Sequence, residues 1–584
     1  MSKNTASKRS RPNHFSMIPS ADIQRSRFDR SHAYKTTFDA GRLVPFYIDE
    51  VVPGDTFSLK CSLLVRQSTP VVPFADNLYI ESFFFFVPNR LIWEHWEQML
   101  GDQSSGPTAS TDYLVPFSSF ASPHTLVAGS LGDYFGLPTN VTPSSKSIQF
   151  SDLPLRAYSL IFNEWFRDEN LQEPVNVDKS TGRLFIGDSA VSSESVSSFL
   201  GYGHQPLYRC KRHDYFTSAL PWTQKGPAVQ VSLGATAPIK GLGDLVLKPS
   251  PVQQWEASMH NTGTGTTFYN PPTTDSWQWY GRDHDASGNL DLGTAGIHVS
   301  NGNIGTGYLD SLRIKGAVDA SQLYADLGTA TPMSINNLRE AFQIQKFYER
   351  QARGGTRYTE IIRSHFGVIS PDARLQRPEY LGGSSSRINV NQVQQTSASD
   401  STTPQGNLAA FAVGQDVFHG FTKSFVEHGY IIGLVNVRAD ITYQQGLNRL
   451  WSRRGKFDFY WPVFAHLGEQ AVLNKEIFCD GSDSDDGVFG YQERYADYRY
   501  YPSIITGKLR STDPQPLDYW HLAQKFENCP KLNSEFIQDT ASYQGIKRAS
   551  AVQNEPQFVL DSWFDLKCVR PMPVYGVPGL VDHF

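Results

Sequence analysis

The chain has 584 residues and a formal net charge of −6, with 39% hydrophobic and 19% charged residues, a balance typical of a folded protein and not of a disordered one. Its length predicts more than one structural unit, and its 13% aromatic content with 46 Gly and 35 Pro favours β structure with long loops. The five cysteines include no C-x-x-C pair, which argues against a disulfide framework or a zinc site. Because no apolar run approaches the length of a membrane span and no signal peptide is evident, the sequence predicts a soluble protein made in a cytoplasm, without membrane insertion.

Residues 1–35 form a basic arm. They carry eight Lys or Arg against two Asp, a net charge of +6, so the rest of the chain carries −12. A basic arm on an acidic body is typical of a protein that contacts nucleic acid with one end, whereas the alternative is a solvated, disordered tail. The candidate nucleic-acid contacts are Lys3, Lys8, Arg9 and Arg11.

Three segments have the patterns of β-strands. Beginning at Thr56, apolar and polar residues alternate, which predicts a half-buried strand. Its apolar face would comprise Phe57, Leu59, Cys61, Leu63 and Val65. The same alternation returns at 435–443, with Asn436, Arg438, Asp440 and Thr442 on the polar face. Between them, 79–87 is too apolar to face water on either side.

Few helices are predicted. The first spans 90–100, with Asn89 as its N-cap, and stops at Gly101. The second spans about 155–167. The third spans about 338–353, with Asn337 and Glu340 resembling a capping box and a Gly-Gly pair at its end. A second basic cluster lies around this third helix, and it either contacts DNA or forms ion pairs with neighbouring glutamates. Its members are Lys346, Arg350, Arg353, Arg357 and Arg363.

Residues 226–330 differ in composition from the rest of the chain. This stretch holds 15 of the 46 glycines and is too long for a simple loop, so it is predicted to be an insertion that projects from the body with a structure of its own. Trp277, Trp279 and Tyr280 form either its small core or an exposed aromatic platform for a host glycan or protein.

Motifs of catalysis are missing from the sequence. It contains no G-x-S-x-G, G-x-x-x-x-G-K-[ST], H-E-x-x-H or G-x-G-x-x-G, so neither enzyme activity nor a cofactor is predicted. The segment 482–493 is a near miss to a calcium loop, because Ser482 stands where the first Asp ligand is needed. An acidic surface turn is favoured, and a loosely bound divalent ion near Asp483, Asp485 and Asp486 is the alternative.

Several sequence blocks, spread over nearly the whole chain, carry a family resemblance. They include "FFFFVPNRLIW" from Phe83, "RAYSLIFNEWFRDENLQ" from Arg156, "KRHDYFTSALPWTQKG" from Lys211, "EHGYIIGLVNVRADITYQQGL" from Glu427 and the C-terminal "MPVYGVPGLVDHF". In this set and order the chain resembles the major capsid proteins of the microvirus family, small single-stranded DNA bacteriophages, and is most similar to the gokushovirus branch.

The resemblance implies an eight-stranded antiparallel jelly roll with long loop insertions and a few short helices. It implies an icosahedral homo-oligomeric shell around a circular single-stranded DNA genome, in a virion assembled in the host bacterial cytoplasm. The implied partners are an internal scaffolding protein, a DNA pilot protein, a small basic DNA-binding protein and a host surface receptor. The chain would divide into the arm (1–35), a first part of the jelly roll (36–225), a surface protrusion (226–333) and a second part with a C-terminal extension (334–584).

A shell protein needs extensive contacts between subunits, and two aromatic-rich segments are candidates for them. They are Phe457 to Phe464 and Tyr491 to Tyr501, with Trp461 and Tyr500 as the residues to test. Two other classes are compatible with strands and aromatic residues alone, namely a β-sandwich enzyme that degrades polysaccharide and a monomeric carbohydrate-binding module. Both would remain near the 65.4 kDa chain mass, whereas a shell protein would assemble.

Overall fold

The computed structural model describes residues 23–575, except for 107, 109, 111, 121–124, 143–145, 182–200, 356, 398, 400, 402–403 and most of 230–334. The chain divides into two compact units. One comprises 1–227 and 346–584, and the other comprises 228–345. The predicted division at 226 and 333 stays a prediction.

The first unit is built on eight long strands, and the order of their pairing is that of a jelly roll. The strands are β1 (His32–Phe38), β2 (Val44–Val51), β3 (Thr56–Gln67), β4 (Leu78–Pro88), β5 (Glu379–Gln394), β6 (Leu408–Ser424), β7 (Gly429–Ala439) and β8 (Phe558–Arg570). One antiparallel sheet has the order β1-β8-β3-β6, and the other has the order β2-β7-β4-β5. Strands β5 and β6 pair with each other at one end and so connect the two sheets. The predicted fold class is confirmed.

A hydrophobic core fills the space between the two sheets. The predicted apolar face of β3 is confirmed, since each of its five residues is at most 2% exposed. The Phe46 ring lies 5.6 Å from Phe84 and 5.5 Å from Phe564, so rings from β2, β4 and β8 meet in the middle of the core. Each aromatic contact of this kind stabilises the core by about 1 kcal/mol in addition to the contribution from burying apolar surface area.

The second face of the β2-β7-β4-β5 sheet is also covered. Helix α1 (Leu153–Ile161) and the loops around it pack against Phe85 and Leu434, and the Tyr158 hydroxyl donates to the Leu43 carbonyl at 2.9 Å. This covering explains why β4 is apolar on both faces, as its sequence predicted.

The expectation that β7 is half-buried was wrong for the same reason. Asn436 and Arg438, expected to face water, are buried, and the Asn436 amide donates to the Arg42 carbonyl at 2.9 Å. The strand also ends at Ala439, earlier than the alternating pattern predicted.

The predicted helices match the structure to different degrees. In place of a helix over 90–100 there is a 3-10 turn at Asn89–Leu91 and a single α turn at Trp96–Met99, because the fully buried Trp93 ties the segment between them to the core. Helix α1 continues into a π-helical turn, Phe162–Phe166, close to the predicted end. Helix α2 (Ile335–Gly354) ends where expected but begins before Asn337, so the predicted capping box was wrong.

The remaining elements of the first unit are short. Helix α3 (Tyr358–Phe366) follows α2, and helix α4 (Thr540–Ala549) precedes β8. Single helical turns lie at Leu131–Tyr134, Asp372–Leu375, Asn474–Ile477, Ala496–Arg499 and Ser534–Ile537. Further 3-10 turns lie at Arg449–Ser452, Lys456–Asp458, Pro462–Phe464, Asp483–Asp486, Gly507–Leu509 and Asp518–Trp520. Small strands are Ser26–Asp29, which pairs with β8, and the pairs Phe117–Phe120 with Ile148–Ser151, Thr442–Tyr443 with Ser503–Ile504 and Glu469–Leu473 with Val488–Glu493.

The described residues of the second unit form three small sheets. Their strands are Gln254–His260, Thr266–Tyr269 and Tyr308–Lys315 in the first, Gln278–Tyr280, Gly296–His298 and Ile304–Gly305 in the second, and Ile239–Gly241 with Leu323–Ala325 in the third. All of their pairings are antiparallel. In the described part of the chain, no helix has both the length and the apolar character of a membrane span.

Candidate subunit interface

The connection between β7 and β8 presents a concentration of exposed aromatic rings, here called the aromatic surface. Trp461 is 48% exposed and Tyr500 51% exposed, so both rings are accessible, and their role as subunit contacts stays a prediction. The other exposed rings of this surface are Trp451, Phe457, Phe459, Tyr460, Tyr498 and Tyr501. Exposed apolar patches often mark interaction sites, and aromatic residues are enriched in interfaces.

A separate small core lies beneath this region. Tyr215, Phe216, Tyr443 and Phe489 are buried together, with the rings of Phe216 and Tyr443 4.9 Å apart. The loops that carry the aromatic surface therefore pack on a hydrophobic core that is separate from the jelly-roll core.

Tyr495 holds the two aromatic segments together. It is only 3% exposed and has a left-handed backbone, with φ of 62°, which is uncommon for a residue other than Gly. Its hydroxyl donates to the Phe459 carbonyl and accepts from the Trp461 amide, both at 3.3 Å, and its ring lies 5.0 Å from the Tyr460 ring. The cost of the left-handed backbone, about 1 to 3 kcal/mol, is offset by these contacts.

Further contacts hold the exposed rings in fixed positions. The Arg453 guanidinium lies 4.0 Å from the centre of the Tyr498 ring and pairs with the buried carboxylate of Asp497. The Trp461 indole N–H donates to the Lys456 carbonyl at 2.7 Å. Because the Tyr498 and Trp461 rings are already ordered, burying these two rings against a partner would cost little side-chain entropy.

Two arginines of the second basic cluster form ion pairs within the chain. Arg353 donates to Glu469 at 2.5 Å, and Arg357 lies 3.5 Å from both Glu169 and Glu360. For these two arginines, the structure favours the ion-pair alternative over contact with DNA.

The acidic segment predicted as an alternative metal site forms a compact 3-10 turn. Asp486 pairs with Lys475 at 2.6 Å, and Asp485 accepts from the Gly481 amide at 2.9 Å, while Asp483 lies at the start of the turn. No group of three or more His, Cys, Asp or Glu in the described part of the chain is arranged to hold a metal ion. These carboxylates lie in an acidic surface turn, the arrangement that the sequence favoured, and the alternative of a loosely bound ion stays untested.

The other predicted site residues fall outside what can be described. Lys3, Lys8, Arg9, Arg11 and Trp277 lie outside the described residues. Trp279 and Tyr280 belong to the strand Gln278–Tyr280, where they pair with Ile297 and Gly296, but their side chains are not among those described. Both the nucleic-acid contacts and the host-attachment platform stay predictions.

A buried ion cluster was missed by the sequence reasoning. The Glu81 carboxylate on β4 accepts from Arg438 of β7 at 2.7 Å, from Arg212 at 3.2 Å and also from Arg209. Burial alone would raise the pKa of Glu81, but the three guanidinium groups lower it on balance. The only sequence signal was the charged run at 209–214, whose partners lie far away along the chain.

Lys211, in the same run, makes the stability of the subunit depend on pH. It is buried, with its ammonium 3.0 Å from the Gln524 side-chain oxygen, and burial lowers its pKa to about 8. Between pH 8 and the ordinary value near 10.5, the unfolded chain binds more protons than the folded one, so stability rises with pH in this window. From pH 7 to 9.5, we expect the wild type to gain about 2 kcal/mol relative to Lys211→Met. Urea unfolding of both proteins at both pH values measures the gain, and parallel changes in the two would contradict it.

Comparison with known proteins is consistent with this architecture. A family model described as "Capsid protein (F protein)" matches residues 16–580. The chain is 44% identical to capsid protein VP1 of Chlamydia phage 1, covering 97% of this chain and 98% of that protein. It is 42% identical to capsid protein VP1 of Bdellovibrio phage phiMH2K, covering 98% of each. It is 35% identical to capsid protein VP1 of Spiroplasma virus 4, covering 99% of this chain and all of that protein.

The jelly roll, together with these similarities, identifies a structural protein of a virus shell. The chain belongs to the capsid protein (F protein) family, and its similarity to the three VP1 proteins places it with the major capsid proteins of the gokushovirus branch of the microviruses. The predicted resemblance is confirmed. Its role is structural and its location is the virion.

Proposed function

We propose that copies of this chain assemble into a closed icosahedral shell around a circular single-stranded DNA genome. The aromatic surface is the observation that carries the proposal, because a ring cluster held this firmly and left half-exposed in one subunit is suited to contact with other copies. Assembly takes place in the bacterial cytoplasm with an internal scaffolding protein, and a DNA pilot protein and a small basic DNA-binding protein join the virion. The shell protein itself performs no catalysis.

Sedimentation velocity tests assembly directly. Protein from cells that also express the scaffolding protein should sediment as large closed particles, since a shell is a point-group assembly of many chains. A single species at the 65.4 kDa chain mass under these conditions would contradict the proposal and would favour a monomeric carbohydrate-binding or polysaccharide-degrading protein.

The basic arm, 1–35, is proposed to contact the packaged DNA. Replacing Lys3, Lys8, Arg9 and Arg11 with Gln should leave shells intact but lower DNA retention. The salt dependence of retention should also decrease, because each lost phosphate contact releases about one counterion fewer. The measurement is DNA content per particle over a salt titration. Wild-type DNA content at every salt concentration would contradict the proposal and would indicate that the arm is a solvated tail.

Residues 226–333 are proposed to form a surface protrusion that attaches to a host surface receptor through Trp277, Trp279 and Tyr280. Replacing 230–328 with a short Gly/Ser linker should still permit folded subunits, because loop-closure entropy grows only with the logarithm of length. Adsorption of the particles to the host should fall by about tenfold or more. Loss of folding in the isolated subunit, or normal adsorption of the shells, would contradict the proposal.

A matched variant keeps the test of attachment specific. Replacing Trp277, Trp279 and Tyr280 with Ser should lower adsorption if the rings form a platform, while the subunit remains folded. If the rings instead form the core of the insertion, the same change should make the insertion sensitive to proteolysis without any separate effect on attachment.

A further inference from the structure

A lysine and a glutamine side chain meet in the interior of the first unit. Lys211 and Gln524 are both buried, and the Lys211 ammonium donates to the side-chain oxygen of Gln524 at 3.0 Å. An ammonium group can only donate, so the oxygen that it contacts is the carbonyl oxygen of the amide. The two residues are 313 positions apart in the chain. Neither the subunit contacts nor the DNA and receptor contacts proposed above use them.

Backbone hydrogen bonds hold both residues in place. Two of them, each of 2.7 Å, join the segment 209–211 to the segment 537–539. On the other side of the pair, the Gln524 backbone amide donates to the Thr442 carbonyl at 3.0 Å. Two side chains that are buried in contact and anchored in this way stay close together, and such fixed proximity strongly favours a reaction between them.

The environment of the Lys211 amine favours its neutral form. Burial lowers the pKa of this amine to about 8, although the charges of Asp539, Asp214 and Glu535 act in the opposite direction. In the described part of the chain, Gln524 is the only hydrogen-bond partner of the ammonium group. A desolvated lysine that loses its proton near neutral pH is a nucleophile for carbonyl carbons.

The Gln524 amide is correspondingly exposed to attack. Its nitrogen, Nε2, is buried without a hydrogen-bond partner among the described residues. A buried donor without a partner is destabilising, and its departure as ammonia would remove that cost. The carbonyl carbon is one C=O bond, about 1.2 Å, from the contacted oxygen. A small rotation of the amide therefore brings this carbon within about 3 to 3.5 Å of the amine, the distance of a near-attack geometry.

Asp539 is suited to carry a proton between the reacting groups. It is buried, and burial raises its pKa although the charges of Arg438 and Lys211 lower it. Of the three carboxylates that act on the Lys211 amine, it has the largest effect. A buried carboxyl group with a raised pKa can accept and release a proton near neutral pH.

We propose that Lys211 and Gln524 join spontaneously in an isopeptide bond inside the folded subunit. The Lys211 nitrogen adds to the side-chain carbonyl carbon of Gln524, the bond from that carbon to Nε2 breaks, and ammonia leaves. The proton that the amine gives up goes to the leaving nitrogen, with the Asp539 carboxyl group as its carrier. One amide replaces another, so neither an oxidant nor a reductant is needed. This modification goes beyond the proposed function and does not depend on shell assembly.

Two properties of the subunit should change when the bond forms. The loop that it closes, 211–524, contains β5, β6 and β7, and a cross-link over so long a loop should raise the unfolding midpoint in urea because it lowers the entropy of the unfolded chain. The rise in stability with pH described above for Lys211 belongs to the chain before the reaction. It should be absent from the cross-linked protein, which has no titrating amine at this position.

Mass spectrometry of the full-length wild-type subunit tests the bond directly. After incubation at pH 8, near the pKa of Lys211, the mass should be lower by one ammonia than the mass of the sequence. Tryptic digestion should yield 210–212 joined to 511–525, because cleavage after the modified Lys211 is blocked. An unchanged mass would overturn the proposal, as would loss of ammonia without the joined peptide. The subunit is measured by itself, so the result is independent of whether shells form.

Two variants assign the reaction to this pair. Lys211→Arg keeps a buried positive charge and a donor for Gln524 but has no amine, so it should retain the full mass. Lys475→Arg is the matched control, because Lys475 forms an ion pair with Asp486 and has no part in the reaction, and it should lose ammonia as the wild type does. Loss of ammonia from Lys211→Arg would overturn the assignment.

A third variant tests the proton transfer. Asp539→Asn should slow formation of the bond by about a hundredfold or more, the usual contribution of a positioned acid–base group. Asn can keep the N-cap of α4, in which the residue at this position accepts from the Ser542 amide at 3.4 Å, so the variant should fold. Formation of the joined peptide at the wild-type rate in Asp539→Asn would overturn the role of this carboxyl group.

Discussion

Replacing Glu81 with Gln should lower the free energy of unfolding of the subunit by about 3 to 5 kcal/mol, the cost of breaking a buried ion pair by removing one partner. The Glu81 side chain is 10% exposed and is contacted by three guanidinium groups from two distant segments of the chain. Without its negative charge, Arg209 and Arg438 remain buried with no other carboxylate in direct contact in the described structure, and an uncompensated buried charge is the larger part of the cost.

Urea unfolding of the isolated subunit measures this loss. The matched control is Asp561→Asn on β8, because Asp561 forms an ion pair with Lys35 at 4.0 Å in which both side chains are at least half exposed. Exposed pairs of this kind contribute little, so the control should stay within about 1 kcal/mol of the wild type. If Glu81→Gln lost no more stability than Asp561→Asn, the cluster would be effectively solvated.

The strands of the jelly roll were predictable where burial alone decides which residues are apolar. In β3, the alternation of apolar and polar residues follows directly from a core on one face, and the apolar run in β4 follows from packing on both. The predicted solvent exposure of one face of β7 was wrong, because Asn436 and Arg438 are polar residues in an alternating pattern but are buried. Their partners, Arg42 and Glu81, come from remote parts of the chain, and no local pattern can reveal them.

The helix over 90–100 failed for a similar reason. Its residues have adequate helix propensity, but burial of Trp93 is decided by α1 and the loops around it, and this tertiary packing outweighs local preference.

Of the functional site, the aromatic composition of 457–464 and 491–501 pointed to contact residues, but composition could not separate exposed rings from buried ones. Tyr495 and Tyr500 lie five residues apart, and only the structure shows that the first is a buried anchor and the second an exposed ring.

Replacing Trp461 or Tyr500 with Ala should lower the yield of assembled particles by at least tenfold while it changes the stability of the isolated subunit by less than about 1 kcal/mol. Each ring is about half exposed, so its truncation removes few contacts within the subunit. In an interface, a buried aromatic anchor contributes about 2 kcal/mol or more, and the loss recurs at every symmetry-related contact of a shell. The effect on assembly should therefore exceed the effect on folding.

Particle yield by sedimentation and subunit stability by urea unfolding, measured on the same preparations, separate the two effects. Phe564→Ala is the core control, because Phe564 is fully buried between the sheets and should lose about 3 to 5 kcal/mol of stability. Trp461→Phe keeps a ring and loses only the hydrogen bond to Lys456, so it should retain most of the particle yield. If Trp461→Ala and Tyr500→Ala instead lost folded soluble protein as Phe564→Ala does, both residues would belong to the core of the subunit and the aromatic surface would not be its contact.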